Sequence, residues 1–334
     1  ALDQAKIAFG SEEVPVGAVI IESQTGKIIS KAHNKVEQLK DPTAHAEILA
    51  IRSAAYQIAN ARLTNVELFV TLEPCAMCAH AISLARIKKL VFGALKNKKH
   101  VVTANKALIS KYGDELSKIA EKNKVNLEYE ASVGGGIPIL RTIKEGLATN
   151  KISKVYGILN GTCNYILSEM EITKDSFQNV LKKAQKLGYA EPGNPKLDLN
   201  GYDAMAKVKI LSALSFNKTI SSNKSLMEGI ENIESKDFDI AEQLNLRIKL
   251  LGITEIIDNK LFERVHPCLV KNNTYIANVS GVMNAVILDG KPVGESVLQG
   301  EGAGPGPTSS ALMSDLLSIL RGNIKYPFGI CLLY

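Results

Sequence analysis

The sequence predicts an α/β protein in two parts that meet near residue 95. A length of 334 residues corresponds to about two domains, at roughly 150 residues for each. Apolar, β-branched runs at 14–21 and 66–72 alternate with a segment at 44–55 whose apolar residues recur at helical spacing. Beyond residue 99, the order strand, helix, strand across 100–130 is typical of a parallel sheet.

Composition indicates an ordinary globular protein without a membrane partner. Hydrophobic residues make up 46% and charged residues 22%, and no apolar run approaches the roughly 18 residues of a membrane span. Five cysteines, an odd number, fit a reducing compartment better than a disulfide framework, so we expect a cytoplasmic protein. The net charge of +6 permits an RNA partner, but a solvated charged face is the favoured explanation.

In the first part we predict a hairpin followed by two helices. Asp41 is predicted to cap the first helix, with Pro42 as its first helical residue. The second helix is predicted to open at 73–78, with Pro74 in its first turn. The predicted strands are 14–21, 27–30, 66–72 and a last one that begins at 90–93.

Metal-ligating residues stand at both helix starts. His45 offers an imidazole nitrogen, while Cys75 and Cys78 offer two sulfurs, which together make a three-ligand zinc set with a fourth position for water. Glu47 is placed to take a proton from that water and pass it to a leaving amine. Taken separately, the C-x-x-C pair could be a redox pair and the histidine structural. The combination of H-x-E with P-C-x-x-C is typical of zinc deaminases.

Three motifs in this part resemble bacterial tRNA-specific adenosine deaminases, at 13–19, 41–47 and 71–78. The resemblance implies a three-layer α/β/α fold, a homodimer, a tRNA partner and hydrolytic deamination of adenosine to inosine. It also implies that Asn34 contacts the flipped base. The strand and helices that complete the family fold have no counterpart after about residue 95, so we expect a truncated deaminase domain.

The second part combines a glycine-rich turn with a carboxylate-rich loop. The turn at 132–138 leaves backbone groups free to approach a ligand or an ion, but a tight crossover fits equally. No G-x-G-x-x-G pyrophosphate cradle occurs in the 334 residues. Within the run 184–207, Asp203 and Lys207 are four apart and lie on one helical face. They form either an exposed ion pair or a proton donor with its carboxylate partner.

Four segments resemble homoserine dehydrogenase, and the resemblance covers about residues 95–328. They are 101–106, 130–138, 157–162 and 184–207. That family interconverts L-homoserine and aspartate 4-semialdehyde with NAD(P) in amino-acid biosynthesis. The resemblance implies proton transfer by Lys207 and Lys106. It also implies substrate binding by Glu191 and Asp203.

The same resemblance implies a cofactor site and an ion site. The residues expected near NAD(P) are Thr103, Lys106 and Gly302. A structural sodium ion is expected to bind at Glu130, Val133, Gly135 and Ile137. The implied fold is a partial Rossmann-type sheet without its N-terminal half, joined to an α+β substrate and dimerisation domain.

We therefore predict four segments and consider three hypotheses. The segments are a deaminase-like domain at 1–95, a remnant of a nucleotide-binding domain at 96–132 with 300–325 packing back on it, a substrate domain at 133–299 and an atypical tail at 326–334. The first hypothesis is a homoserine dehydrogenase-family protein fused to a zinc deaminase-like domain. The second makes zinc-dependent deamination the main activity. The third is an inactive joining of two gene fragments.

Overall fold

The computed structural model describes residues 1–71, 74–87, 94–96, 98–190, 195–221, 225–322 and 326–329. The chain divides into two compact units, Ala1–Lys99 and His100–Tyr334. The boundary lies within the segment where the sequence predicts a change of chemistry. The finer division at 132, 299 and 326 stays a prediction.

The first unit is built on an antiparallel sheet flanked by helices. Its described strands follow the order β2-β1-β3. They are β1 (Gly17–Glu22), β2 (Ile28–His33) and β3 (Val66–Val70). The helices are α1 (Leu2–Gly10), α2 (Val36–Leu39), α3 (Ala46–Ile58) and α4 (Ala76–Leu84).

Small side chains allow the helices of this unit to approach the sheet closely. From α3, Ala46, Ala50 and Ala54 are fully buried in one apolar cluster with residues of β1. On the other side, a side chain at Gly17 would lie 2.3 Å from the carbonyl oxygen of Ala1, at the start of α1. Glycine is therefore required where α1 crosses β1.

The predicted hairpin is confirmed, but the predicted helix starts are wrong. Strands β1 and β2 pair antiparallel. Helix α3 begins only at Ala46, with His45 at its N-cap. Asp41 instead closes a turn, because its Oδ1 accepts hydrogen bonds from the backbone N–H (2.8 Å) and hydroxyl (2.7 Å) of Thr43. Pro74 likewise precedes α4, whose N-cap is Cys75. The predicted strand at 90–93 lies outside the described residues.

The second unit begins with a parallel strand pair and continues into a mixed sheet. Strands β4 (Val101–Val102) and β5 (Leu127–Glu128) pair parallel across helix α5 (Lys106–Asn123), as the sequence predicts. The larger sheet has the order β11-β10-β6-β8-β9-β7. Its strands are β6 (Lys151–Ile158), β7 (Leu226–Met227), β8 (Leu246–Ile257), β9 (Lys260–Lys271), β10 (Met283–Lys291) and β11 (Gly294–Glu301).

The other helices of this unit pack on the larger sheet, on one another or on the β4–β5 region. They are α6 (Ile139–Arg141), α7 (Gly161–Thr173), α8 (Phe177–Lys186), α9 (Lys196–Leu199), α10 (Tyr202–Phe216), α11 (Ser235–Gln243) and α12 (Pro305–Leu320). Helix α10 is buried along most of its length and packs on β6, β8 and β9. No helix in the described part of the chain is both long and apolar enough for a membrane crossing.

The last helix returns to the beginning of the unit. Asp315 of α12 accepts a hydrogen bond from the backbone N–H of Glu130 (2.9 Å). Past α12, the hydroxyl of Tyr129 donates to the carbonyl oxygen of Pro327 (2.7 Å), and the Phe328 ring lies 5.6 Å from the Tyr129 ring. Helix α12 therefore contacts β4 and the segment after β5. Packing of the whole range 300–325 on this region stays a prediction.

Candidate functional sites

Three predicted zinc ligands lie together in the first unit. His45 Nδ1 is 3.5 Å from Cys75 Sγ and 3.4 Å from Cys78 Sγ. The three ligand atoms lie within 4.8 Å of one another. Two helix N-termini create this arrangement, since His45 and Cys75 are the N-cap residues of α3 and α4 and Cys78 lies in the first turn of α4.

The other residues predicted for this site line a cavity beside the zinc ligands. Its volume is about 320 Å³, and Asn34, Glu47 and Glu13 lie in its wall with His45 and Cys75. Glu47 is only 3% exposed. Glu13 accepts hydrogen bonds from the Asn34 side chain (3.0 Å) and from the backbone N–H of Gln38 (2.7 Å). Glu13 belongs to the sequence motif 13–19, but its contact with Asn34 could not be predicted from that motif.

A bound cation would stabilise the ionised form of the cysteine ligands. Burial raises the pKa of the Cys78 thiol well above its usual range, and the nearby Glu47 carboxylate adds to the rise. A thiolate is the form that binds zinc, and a metal ion supplies the positive charge that stabilises it. One imidazole nitrogen and two sulfurs also form a zinc donor set that leaves room for water. The residues present therefore fit zinc.

The predicted dehydrogenase residues form a second cluster, centred on Asp203. Its Oδ2 accepts a hydrogen bond from Lys207 Nζ (2.8 Å), and its Oδ1 lies 2.9 Å from Lys106 Nζ. Lys207 also donates to the carbonyl oxygen of Leu159 (2.5 Å). The three charged side chains come from the first turns of α5 and α10 and from the second turn of α10.

The pKa values of two carboxylates in this cluster shift in opposite directions. Burial alone raises the pKa of Asp203, but the ammonium groups of Lys207 and Lys106 outweigh burial and hold the pKa well below its ordinary value. For Asp198, burial and the negative charge of Asp203 raise the pKa. Asn160 lies between the two carboxylates and donates to both. Its position two residues after β6, inside the motif 157–162, is the signal that could have marked Asn160 as a candidate.

The remaining predicted dehydrogenase residues have varied surroundings. Thr103 is buried after β4, and its hydroxyl oxygen accepts a hydrogen bond from the backbone N–H of Asn105 (3.1 Å). A side chain at Gly302 would lie 2.1 Å from the Asn284 side chain, so close packing by itself requires glycine there. Glu191 lies outside the described residues.

The predicted sodium ligands surround the turn between β5 and α6. Both carboxylate oxygens of Glu130 accept backbone hydrogen bonds, from Leu140 (2.9 Å) and Arg141 (2.8 Å). Gly135 lies against the backbone of Gly302, where a side chain would come within 2.6 Å. Burial raises the pKa of Glu130 to about 7. Glu130 therefore has a structural use at this turn that does not involve an ion.

Comparison with known protein families separates the two units in the same way. Residues 138–317, more than half of the chain, match the family model described as "Homoserine dehydrogenase". The chain belongs to the homoserine dehydrogenase family. Residues 1–94 match a second family model, "Cytidine and deoxycytidylate deaminase zinc-binding region". One polypeptide thus joins a deaminase-type zinc-binding region to a homoserine dehydrogenase region, as the resemblances predict.

Individual homoserine dehydrogenases confirm the assignment. The enzyme from Neisseria gonorrhoeae is 47% identical over 234 residues, which are 70% of this chain and 54% of that protein. A crystal structure from Thiobacillus denitrificans superposes with a TM-score of 0.68 at 46% identity, over 70% of this chain and 54% of that one. A hyperthermophilic archaeal homoserine dehydrogenase mutant in complex with NADPH gives 0.62 at 26% identity, over 71% and 69%. The chain spans about half the length of the first two relatives.

Proposed function

We propose that the unit His100–Tyr334 binds L-homoserine or aspartate 4-semialdehyde and performs the proton transfer that interconverts them. The observation that carries this proposal is the buried carboxylate of Asp203 between Lys106 and Lys207. Two ammonium groups held by one carboxylate provide a proton donor at a site that excludes most solvent. Family membership supports the amino-aldehyde as the substrate class.

In the proposed mechanism, Lys207 gives its proton to the aldehyde oxygen as the aldehyde is reduced to the alcohol. In the opposite direction, the neutral amine of Lys207 accepts the hydroxyl proton of homoserine. Asp203 orients Lys207 through the 2.8 Å hydrogen bond and stabilises its charged form. Lys106, 2.9 Å from the other oxygen of Asp203, is the second proton donor at this site. A nicotinamide, when bound, would supply or accept the hydride.

Membership of the homoserine dehydrogenase family supports a nicotinamide cofactor for this unit, and one relative is described as a complex with NADPH. Thr103, Lys106 and Gly302 are the residues proposed to line the nicotinamide. The 334 residues contain no G-x-G-x-x-G cradle, so the pyrophosphate of a dinucleotide would lack its usual backbone donors in this chain. We therefore expect weak NADPH binding. Sodium at the Glu130 turn stays a prediction.

Binding of L-homoserine to the full chain tests the dehydrogenase proposal. Calorimetry should detect binding to the wild type, weakened at least tenfold in Lys207→Met because a hydrogen bond from a charged group is lost. Lys209→Met is the matched control, since Lys209 lies two residues further along α10 and donates instead to the carbonyl oxygen of Ser221 (2.9 Å). A wild type that binds no homoserine contradicts the proposal.

For the unit Ala1–Lys99, we propose a zinc-dependent deaminase that acts on adenosine. The convergence of His45, Cys75 and Cys78 beside the buried Glu47 carries this second proposal. Zinc would activate a water molecule, whose proton Glu47 would accept and deliver to the leaving amine. Asn34, in the wall of the cavity, is placed to contact the base. A tRNA substrate, a homodimer and a cytoplasmic location are further parts of this proposal.

The hypothesis of a fused protein requires that the two units are made as one polypeptide. Sequencing the native transcript across the codons of residues 90–105 tests this directly. A transcript that joins them supports the fused protein. If no native transcript joins the units, the fusion is an artefact, and each unit is then to be tested within its own gene product.

A further inference from the structure

Asn160 uses every polar atom of its side chain within the dehydrogenase cluster. The residue lies two positions after the end of β6, is the N-cap of α7 and is 6% exposed. Its Oδ1 accepts a hydrogen bond from the backbone N–H of Cys163 (2.8 Å). Its Nδ2 donates to Oδ1 of Asp198 (3.0 Å) and to Oδ2 of Asp203 (3.0 Å). A single amide nitrogen therefore joins two carboxylates.

The two carboxylates differ in what else they contact. Asp203 is neutralised by Lys106 and Lys207, so both of its oxygens are already engaged. Among the described residues, the hydrogen bond from Asn160 is the one that the Asp198 carboxylate accepts. The Cys163 thiol donates to the backbone carbonyl of Asp198 (3.3 Å), which fixes the same segment from the α7 side. Asp198 is thus held in place, and its second carboxylate oxygen accepts no hydrogen bond from the part of the chain that the structure describes.

We propose that Asn160 is the positioning residue of this site, which holds the Asp198 carboxylate in place and ionised so that it can receive the ammonium group of the substrate. The proposal rests on the function proposed above for an amino-acid substrate. Without the two amide hydrogens, two carboxylates of like charge would face each other in a poorly solvated site. Protonation or displacement of Asp198 would then relieve their repulsion.

Charged and titratable groups from three helices face Asp198, and together they define the electrostatic balance. Asp203 raises the pKa of Asp198, while Lys207, also on α10, and Lys106 of α5 lower it. The Cys163 thiol of α7 is buried, and burial raises its pKa well above the usual range, so it stays neutral. Burial is the largest influence on Asp198 and raises its pKa, and the hydrogen bond from Asn160 opposes it. Removing the amide donors should therefore raise the pKa of Asp198 further.

Two variants separate positioning from helix capping. Asn160→Asp and Asn160→Ser both keep an oxygen that can accept the Cys163 N–H, and both residues are good N-caps. Neither keeps an amide nitrogen that can join the two carboxylates. Ser176→Ala is the matched control, because Ser176 caps α8 by accepting from the backbone N–H of Asn179 (3.4 Å). It removes a cap without touching either carboxylate.

Carboxyl titration of the full chain, labelled with carbon-13 aspartate, and homoserine calorimetry between pH 5 and 8 provide the readouts. In both Asn160 variants, Asp198 should titrate at higher pH than in the wild type, and homoserine affinity at pH 6 should fall roughly tenfold, with partial recovery at pH 8. Ser176→Ala should change neither. An unshifted Asp198 titration in both variants overturns the proposal, even if affinity falls. If the wild type binds no homoserine, the proposed function fails, while the titration still tests Asn160.

Discussion

Lys207 and Asp203 lie one helical turn apart on α10, and the Nζ of Lys207 donates to Oδ2 of Asp203 at 2.8 Å. Their side chains are only 9% and 10% exposed. Spacing alone cannot distinguish this buried pair from an exposed one, and an exposed pair contributes little to stability. Here Lys106 of α5 pairs with the other carboxylate oxygen of Asp203. The cluster therefore links two helices that are about 100 residues apart in sequence.

Replacing Asp203 with Asn should destabilise the second unit by about 3–5 kcal/mol at pH 7, because two lysines lose their buried partner. The folded-state pKa of Asp203 lies below its unfolded value. Its stabilisation is therefore present above about pH 4 and is lost as the pH falls through the folded pKa. Urea unfolding of wild type and Asp203→Asn at pH 7 and pH 3 should show a stability gap that shrinks in acid.

Asp239→Asn is the control for Asp203→Asn. Asp239 pairs with Lys174 at 2.9 Å, but its side chain is 58% exposed. Its loss should cost less than about 1 kcal/mol. Equal effects of the two substitutions would contradict the buried role of Asp203.

Purified protein should contain about one zinc ion per chain, because one imidazole and two sulfurs form a three-ligand catalytic site. Cys75→Ala should lose most of this zinc. Cys268→Ser is the control, because Cys268 lies in β9, in the other unit. This variant should keep its zinc. Inductively coupled plasma mass spectrometry measures the stoichiometry. Zinc retained in full by Cys75→Ala would remove the proposed ligand set.

The sequence predicted which residues approach one another better than it predicted how the helices begin. The H-x-E and P-C-x-x-C spacings identified His45, Cys75 and Cys78, and the structure brings them together. The Asp41-Pro42 pair looks like a helix start by capping rules, yet the chain makes a turn there first. That turn makes His45 the N-cap residue of α3. Contacts in the folded unit, and not the local capping preference of Asp41, therefore determine where this helix begins.

Contacts between segments distant in the chain could not be derived from spacing. Glycine at 302 was expected near a cofactor, but the residue that crowds it is Asn284, from the neighbouring strand. Nor did Asn160 stand out, because an asparagine before a helix is an ordinary N-cap. Its contacts with Asp198 and Asp203 form only in the folded unit, where the start of α7 meets α9 and the first turn of α10.

Glu47→Gln should leave zinc binding intact and reduce adenosine deamination by about 10²–10⁴-fold, since the amide cannot accept the water proton. The substitution preserves size at a residue that is 3% exposed. Inosine formation by liquid chromatography, together with metal analysis of the same sample, measures both effects. Simultaneous loss of zinc would indicate that Glu47 supports the metal site rather than proton transfer.

Lys249 in β8 should make the stability of the second unit depend on pH in the alkaline range. Its side chain is 1% exposed and donates to the carbonyl oxygen of Val279 (2.7 Å). Burial lowers the pKa of Lys249 to about 8, from 10.5 in the unfolded chain. Between these values the unfolded state binds the proton and the folded state does not, so stability rises with pH through this window.

Lys249→Met removes this titration while keeping an apolar side chain of similar length. The carbonyl oxygen of Val279 retains a second donor in the Asn164 side chain (3.3 Å), so it stays paired. Relative to Lys249→Met, the wild type should gain up to about 3 kcal/mol between pH 7 and pH 10.5, at 1.4 kcal/mol per pKa unit. Guanidinium unfolding at both pH values measures the gap, and Lys260→Met, at the start of β9, is the control. A gap that stays constant across this range would mean that Lys249 keeps its proton in the folded protein.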